Sequence, residues 1–366
     1  MPHICEADVG ISSEDRAYAG CIHLRLSVTT FRKASTTAFL GLALLSLPYN
    51  LGADDGAASI KAGGLIVMRK EPRITMAKEV LSISARSVDV SYEFRNDSDE
   101  DVVTEVAFPI PRYHFGYEER DPKKQGFDDF KLWIDGQRQQ FATEERAFLG
   151  RREITAALKA SHIEIGSFGR MDWDRRHSTA FEKLNPAEQK KLVTAGLFTM
   201  DKGDDFPQPR WEVEKKYHWK QHFPAHAVVK IRHQYTPVAG DGQFVPDVLI
   251  GKPTASLSKD EITYENAFWK SICLTDSERK RLSKASGIIF GSWVDFILTT
   301  ANTWKQPIED FTLIVERPTP GYLVSFCWNG DVEKIDSNHF RVHTTNLVPT
   351  DELRIGYYKA DKSFVE

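Results

Sequence analysis

The sequence predicts a mainly β protein: an antiparallel β-sandwich body with a helical insertion at about residues 144–210 and short helices near 258–285. Three observations lead there. Apolar and polar residues alternate in runs near both ends of the chain, turn residues and prolines separate those runs, and helix-start signals are confined to two intervening stretches.

The first strand is the clearest. Val88, Val90, Tyr92 and Phe94 alternate with Ser87, Asp89, Ser91 and Glu93, the period of a strand with one face buried. Asn96-Asp97-Ser98-Asp99 then reads as a turn, and Val102, Thr104, Val106 and Phe108 as the second arm of an antiparallel hairpin that stops at Pro109 and Pro111. Phe130, Leu132 and Ile134 run into Asp135-Gly136, a two-residue hairpin signal. From Glu144 to Arg210 the spacing turns helical, through Phe148, Ile154 and Leu158, and Asn185-Pro186-Ala187-Glu188 supplies a cap, a first-turn proline and an acidic third position. Strands resume where Ala227, Val229, Ile231, His233 and Tyr235 alternate with Val228, Lys230, Arg232 and Gln234. Ser258-Lys259-Asp260-Glu261 and Thr275-Asp276-Ser277-Glu278 are capping boxes that open two short helices. Phe311–Val315, Leu323–Trp328, Phe340–Val342 and Leu353–Tyr357 complete the strands.

The N-terminal region has a different character. Arg32-Lys33 precede the apolar run Ala38–Leu47, and small residues follow at Gly52 and Ala53, the order of a secretory signal peptide with cleavage after Ala53. The run is much shorter than the roughly 20 residues of a membrane-spanning helix, and no cysteine follows it to take a lipid. Residues 1–53 are therefore read as leader and signal peptide, with 1–27 either the product of a start codon assigned too far upstream, initiation falling at Leu26 or Val28, or a genuine long leader. Residues 54–366 form the mature region, periplasmic or secreted, and Asp54-Asp55-Gly56 at its start is the one stretch expected to lack order.

Charge narrows the partners. The net charge of −4 and the lack of a long Lys/Arg run argue against nucleic acid and against a polybasic membrane surface. Cys273 and Cys327 are the cysteines left after processing, and in an oxidising compartment they are expected to form a disulfide.

Five short motifs occur together: Gly63-Gly64-Leu65; Tyr92-Glu93-Phe94-Arg95-Asn96 leading to Ala107-Phe108-Pro109-Ile110-Pro111; Trp219 through Phe223-Pro224-Ala225; His233-Gln234-Tyr235-Thr236-Pro237; and Leu323-Val324-Ser325-Phe326-Cys327. In this order they resemble the bacterial exported family DUF4424, a domain of unknown function. The resemblance implies a β-rich envelope protein with no assigned activity and no functional residues to carry over. His222 departs from the smaller polar residue expected of the family at that place.

Candidate chemistry is sparse. His218, His222 and His226 stand at steps of four, which aligns them on a helix or a strand, but Pro224 interrupts the helix and no cysteine or carboxylate completes a metal set. No metal or other cofactor is expected. Asp97, Asp99, Glu100 and Asp101 resemble a calcium loop but lack its glycine, Val102 standing there, and read as a solvated turn. Trp219 and Phe223, with Trp211 and Tyr217, and Tyr113 and Tyr117 elsewhere, are candidates for an aromatic platform that binds sugar or peptide; buried core is the competing reading. No nucleophile elbow, His-Glu-x-x-His pair or phosphate loop is present, so no catalytic residue is named. Two functions stay open: a non-enzymatic module for a glycan, peptide or protein of the cell envelope, or a hydrolase acting on envelope material.

Overall fold

Asp55 is fully buried, so the chain enters the core where disorder is expected from the sequence. Strand β1 (Gly56–Ile60) follows, then β2 (Ile66–Met68), β3 (Ile74–Ile83), β4 (Val88–Asn96), β5 (Val102–His114), β6 (Lys131–Ile134), β7 (Gln137–Gln139), β8 (Ala142–Leu149) and β9 (Arg152–Glu153). Helix α1 (Thr155–Ala160), β10 (Met171–Asp172), β11 (His177–Ser178), α2 (Pro186–Thr194), β12 (Phe198–Thr199) and β13 (Gln208–Pro209) make up the insertion. Then come β14 (Glu212–Phe223), β15 (Val228–Tyr235), β16 (Gly240–Phe244), α3 (Lys259–Ser271), α4 (Asp276–Leu282), β17 (Ile289–Phe296), β18 (Ile308–Glu316), β19 (Leu323–Phe326), β20 (Glu333–Lys334), β21 (His339–Leu347) and β22 (Leu353–Ala360). This computed structural model describes residues 55–61, 66–114, 129–163, 165, 171–172, 177–178, 184–199, 208–237, 239–252, 257–284 and 288–360. The leader, signal peptide and cleavage site expected from the sequence lie outside them.

The sandwich has one eight-stranded sheet, ordered β20-β21-β18-β3-β4-β15-β6-β7. Its inner face packs against a six-stranded sheet, β2-β1-β5-β14-β8-β9, and a four-stranded sheet, β16-β17-β22-β19. Neighbouring strands of the large sheet run antiparallel except β3 and β18, which are parallel. Val88, Val90, Tyr92, Phe94, Val229 and Ile231 face Val106, Phe108, Tyr217, Trp219 and Phe223 in one apolar core. On its far side the four-stranded sheet carries a second core, in which Phe268, Trp269 and Ile272 at α3 pack on Phe244, Ile289 and Tyr358. The disulfide Cys273–Cys327, with 4.9 Å between Cα atoms, ties the end of α3 to the end of β19, as the sequence predicts. All three capping boxes form, at Asn185, Ser258 and Thr275. The Asp135-Gly136 turn joins β6 to β7 with both residues at positive φ, the type I′ geometry that matches strand twist.

Three further expectations change. β4 and β5 are not a hairpin: β4 pairs with β3 and β15, β5 with β1 and β14 in the opposing sheet. The cause is Asn96. Its Nδ2 donates to the carbonyls of Glu100 (2.8 Å) and of Phe223 (3.0 Å) in the other sheet, while its Oδ1 accepts from Ser98 N (3.0 Å) and Oγ (2.7 Å). The turn is thereby pinned as a corner between layers. β5 also runs on through Pro109 and Pro111 to His114, because β1 covers it only as far as Ala107 and the prolines fall where β5 is an edge. Finally, the 144–210 insertion begins as sheet. Residues 142–149 are strong helix formers apart from Thr143 and Phe148, yet pairing of Thr143–Phe148 with Tyr217–Glu212 overrides that preference. Helices occupy Thr155–Ala160 and Pro186–Thr194 over a small core built on Leu158, Leu192 and Trp211.

Candidate functional site

The outer face of the large sheet holds a concavity among the described residues. Alternation along β3, β4, β15 and β6 turns Lys78, Val80, Ser91, Glu93, Lys230, Arg232 and Trp133 away from the core. Register sorts them into two rows across the strands. One row is Asp310-Lys78-Glu93-Lys230, alternating in charge. The other is His343-Thr312-Val80-Ser91-Arg232-Trp133-Arg138, which spans seven strands. Small Ser91 and Val80 sit between long side chains on either side, and a trough of about 400 Å³ opens over them.

The trough's walls are held in place. Trp133 lies between two guanidinium groups, Arg232 at 4.9 Å and Arg138 at 5.3 Å from its ring centre, a cation–π ladder across three strands. Asp89 grips Arg232 through both carboxylate oxygens, which raises the pKa of the guanidinium further. Lys230 Nζ stands 3.4 Å from Glu93, and Lys78 Nζ stands 4.0 Å from Asp310, which also contacts His343 Nε2 at 3.1 Å. Arg138 is exposed, with no ion pair among the described residues.

The residues singled out from sequence lie elsewhere. Trp219, Phe223, Trp211 and Tyr217 are buried, so no exposed platform forms from them: Trp219 packs edge-on to His233, and Phe223 on Phe94 and Trp304. Tyr113 is half-buried between two cores, and Tyr117 lies outside the described residues. His218 and His222 lie on β14 and His226 in the turn that follows it, and each meets its own carboxylate: His218 with Glu105 (2.5 Å), His222 with Asp101 (2.9 Å) and His226 with Asp99 (2.9 Å). Asp97 is taken by Arg95 and Lys305. Among the described residues no three His, Cys, Asp or Glu side chains gather to hold a metal.

Two buried polar groupings were not legible beforehand. On the outer side of β14, Glu214 receives Arg112 (3.0 Å) and Lys216 (2.9 Å). Burial works to raise this carboxyl, and the two cations outweigh it and keep it below the usual carboxylate range. Inside the sandwich, His233 is enclosed by Tyr92, Phe108, Phe130 and Trp219, with Nε2 3.4 Å from Asp55 Oδ2. The carboxylate favours the imidazolium, but complete burial of the ring dominates and pushes His233 down to about 3. Asp55 is anchored by its carbonyl, which accepts from Trp304 Nε1 at 2.5 Å.

Residues 53–355 match the family described as domain of unknown function (DUF4424), and the chain belongs to that family. No curated protein matches it. Among solved structures, it is similar to a candidate nutrient binding protein of Legionella pneumophila, with 15% identity, 84% of this chain and 72% of the other covered, and a TM-score of 0.42. It is also similar to yeast LTA4 hydrolase (9% identity, 78% and 29% covered, TM-score 0.27) and to an M1 zinc metallopeptidase of Deinococcus radiodurans (9% identity, 79% and 43% covered, TM-score 0.26). The chain spans less than half the length of either of these two, and none of the three bears on the functional reading. No helix among the described residues is long and apolar enough to cross a membrane.

Proposed function

We propose that residues 54–366 form an exported binding module that holds a glycan of the cell envelope in the trough of the large sheet. The trough itself carries this reading: it is a concave surface, built on rigid central strands, with a fixed indole wall and a floor that includes the Ser91 hydroxyl. Binding is favoured over catalysis because the carboxylate that lines it, Glu93, is engaged by Lys230, and those beside it, Asp89 and Asp310, by Arg232 and His343. Among the described residues, Glu352 and Glu265 are held above the ordinary carboxylate range, chiefly by burial, and both do structural work away from the trough. Glu352 accepts from the backbone of Leu298 and Thr299, and Glu265 faces Val245 N. Export is supported by the basic flank and apolar run before Ala53 and by the disulfide. N-terminal sequencing of the secreted protein tests it, with a start near Asp54 expected and retention of Leu40–Leu47 counting against it.

The trough is tested by filling it. Ser91→Trp places an indole over the floor without touching the core, so the fold should persist while glycan binding measured by titration calorimetry is lost. Unchanged binding to the variant would place the ligand elsewhere.

A further inference from the structure

We infer, resting on the trough as the binding site, that its ligand is an acidic glycan with one carboxylate per disaccharide. Cations outnumber carboxylates at this surface. Lys78, Lys230 and Arg232 line the trough against one carboxylate, Glu93; Asp89 and Asp310 stand beside it, paired with Arg232 and with Lys78 and His343, and Arg138 stands beyond Trp133 in the same row as Arg232. Arg138 has no ion pair among the described residues, and Lys78 meets its acid only at 4.0 Å. Both can take a new carboxylate without surrendering a close partner.

Their spacing selects the ligand. Lys78 and Lys230 stand on β3 and β15, two strand intervals apart in one row, and Arg232 and Arg138 stand on β15 and β7, two intervals apart in the next. At the usual distance between paired strands, each step is about 9.5 Å. An extended glycan crossing the strands presents successive carboxylates at a comparable step when every second sugar is a uronic acid. Between Lys78 and Lys230 stands Glu93, with Ser91 next along β4; a hydroxyl and a carboxylate there suit sugar hydroxyls better than apolar side chains. A peptide would seek an open strand edge for main-chain pairing, and the trough lies in mid-sheet.

Titration calorimetry of the mature protein decides this with three probes: an oligosaccharide of alternating glucuronate and N-acetylglucosamine, a neutral N-acetylglucosamine oligomer of equal length, and poly-glutamate. The acidic oligosaccharide should bind about tenfold or more tighter than the other two. Its affinity should fall several-fold between roughly 0.01 and 0.15 M salt, as the screening length shrinks from about 30 to about 8 Å. Arg138→Ala and Lys78→Ala should each weaken it about three- to fivefold with no change in melting temperature. Equal binding of the neutral oligomer, abolished for both sugars by Ser91→Trp, would overturn the charge inference and leave the trough standing. Tighter binding of poly-glutamate, or no binding of any probe, would overturn the inference too. Acidic-sugar binding that survives Ser91→Trp would remove the trough reading itself.

Discussion

Lowering the pH through the histidine range should destabilise this protein, and His233 sets the size of the effect. The ring is fully buried and remains neutral in the folded state down to about pH 3, whereas in the unfolded chain it takes a proton at its ordinary value near 6.5. Between those values the unfolded state binds more protons, so stability is complete above about pH 6.5 and falls as the pH drops below it. The slope for one proton is about 1.4 kcal/mol per pH unit, giving a loss of about 2 kcal/mol by pH 5. Asp101 and Asp336 are held below the carboxylate range by hydrogen bonds, chiefly from the backbone N–H groups of Ala225 and Asn338 respectively, so they stay ionised throughout this window. The assay is urea unfolding followed by tryptophan fluorescence at several pH values between about 7.5 and 5, for the wild type and His233→Gln. The wild type should lose about 2 kcal/mol more than the variant across the window. If the wild type instead loses less than the variant on acidification, His233 and Asp55 form a charged pair and the burial argument is wrong.

Three further outcomes follow from the fold. Replacing Cys273 or Cys327 by alanine opens a loop closed across a sequence separation of 54, so each should cost about 4 kcal/mol in the chain-entropy model, and the double change little more; denaturant titration of the three variants checks it. Asn96→Ala abandons the carbonyls of Glu100 and Phe223 at the inter-sheet corner and should cost about 2–4 kcal/mol, read by the same titration. Gly356→Ala sets a methyl 2.7 Å from Ile272 Cδ1, under a helix end that the disulfide prevents from lifting, and should lower stability by about 1–3 kcal/mol; a thermal melt unchanged from wild type would show that Ile272 yields freely.

Local signals were legible wherever one residue's chemistry decided the outcome. The capping boxes at Ser258 and Thr275, the Asp135-Gly136 turn and the alternation of Val88–Phe94 and Val229–Tyr235 each reappear in the fold. Long-range pairing was not legible. The run Val88–Phe108 reads as a hairpin because Asn96–Asp99 has turn chemistry, and nothing local says that Asn96 reaches Phe223 in the opposite layer. The site shows the same division. Alternation already turned Ser91, Glu93, Lys230 and Arg232 outward, but only register sets β4 beside β15 and makes one surface of them. Trp133 occupies the outward position between Leu132 and Ile134, and this outward aromatic was the one available sign of the trough. Trp219 and Phe223 drew attention by type, and their burial follows from facing the larger sheet.

The central claim, that a glycan is held over Ser91 and beside Trp133, is tested most directly by presenting one set of envelope-type glycans, neutral and acidic, to the wild type and to Ser91→Trp side by side. The account predicts that the wild type retains a defined set, enriched in alternating uronates, and that Ser91→Trp retains none of it while melting at the same temperature. Retention of the same glycans by both proteins would contradict it.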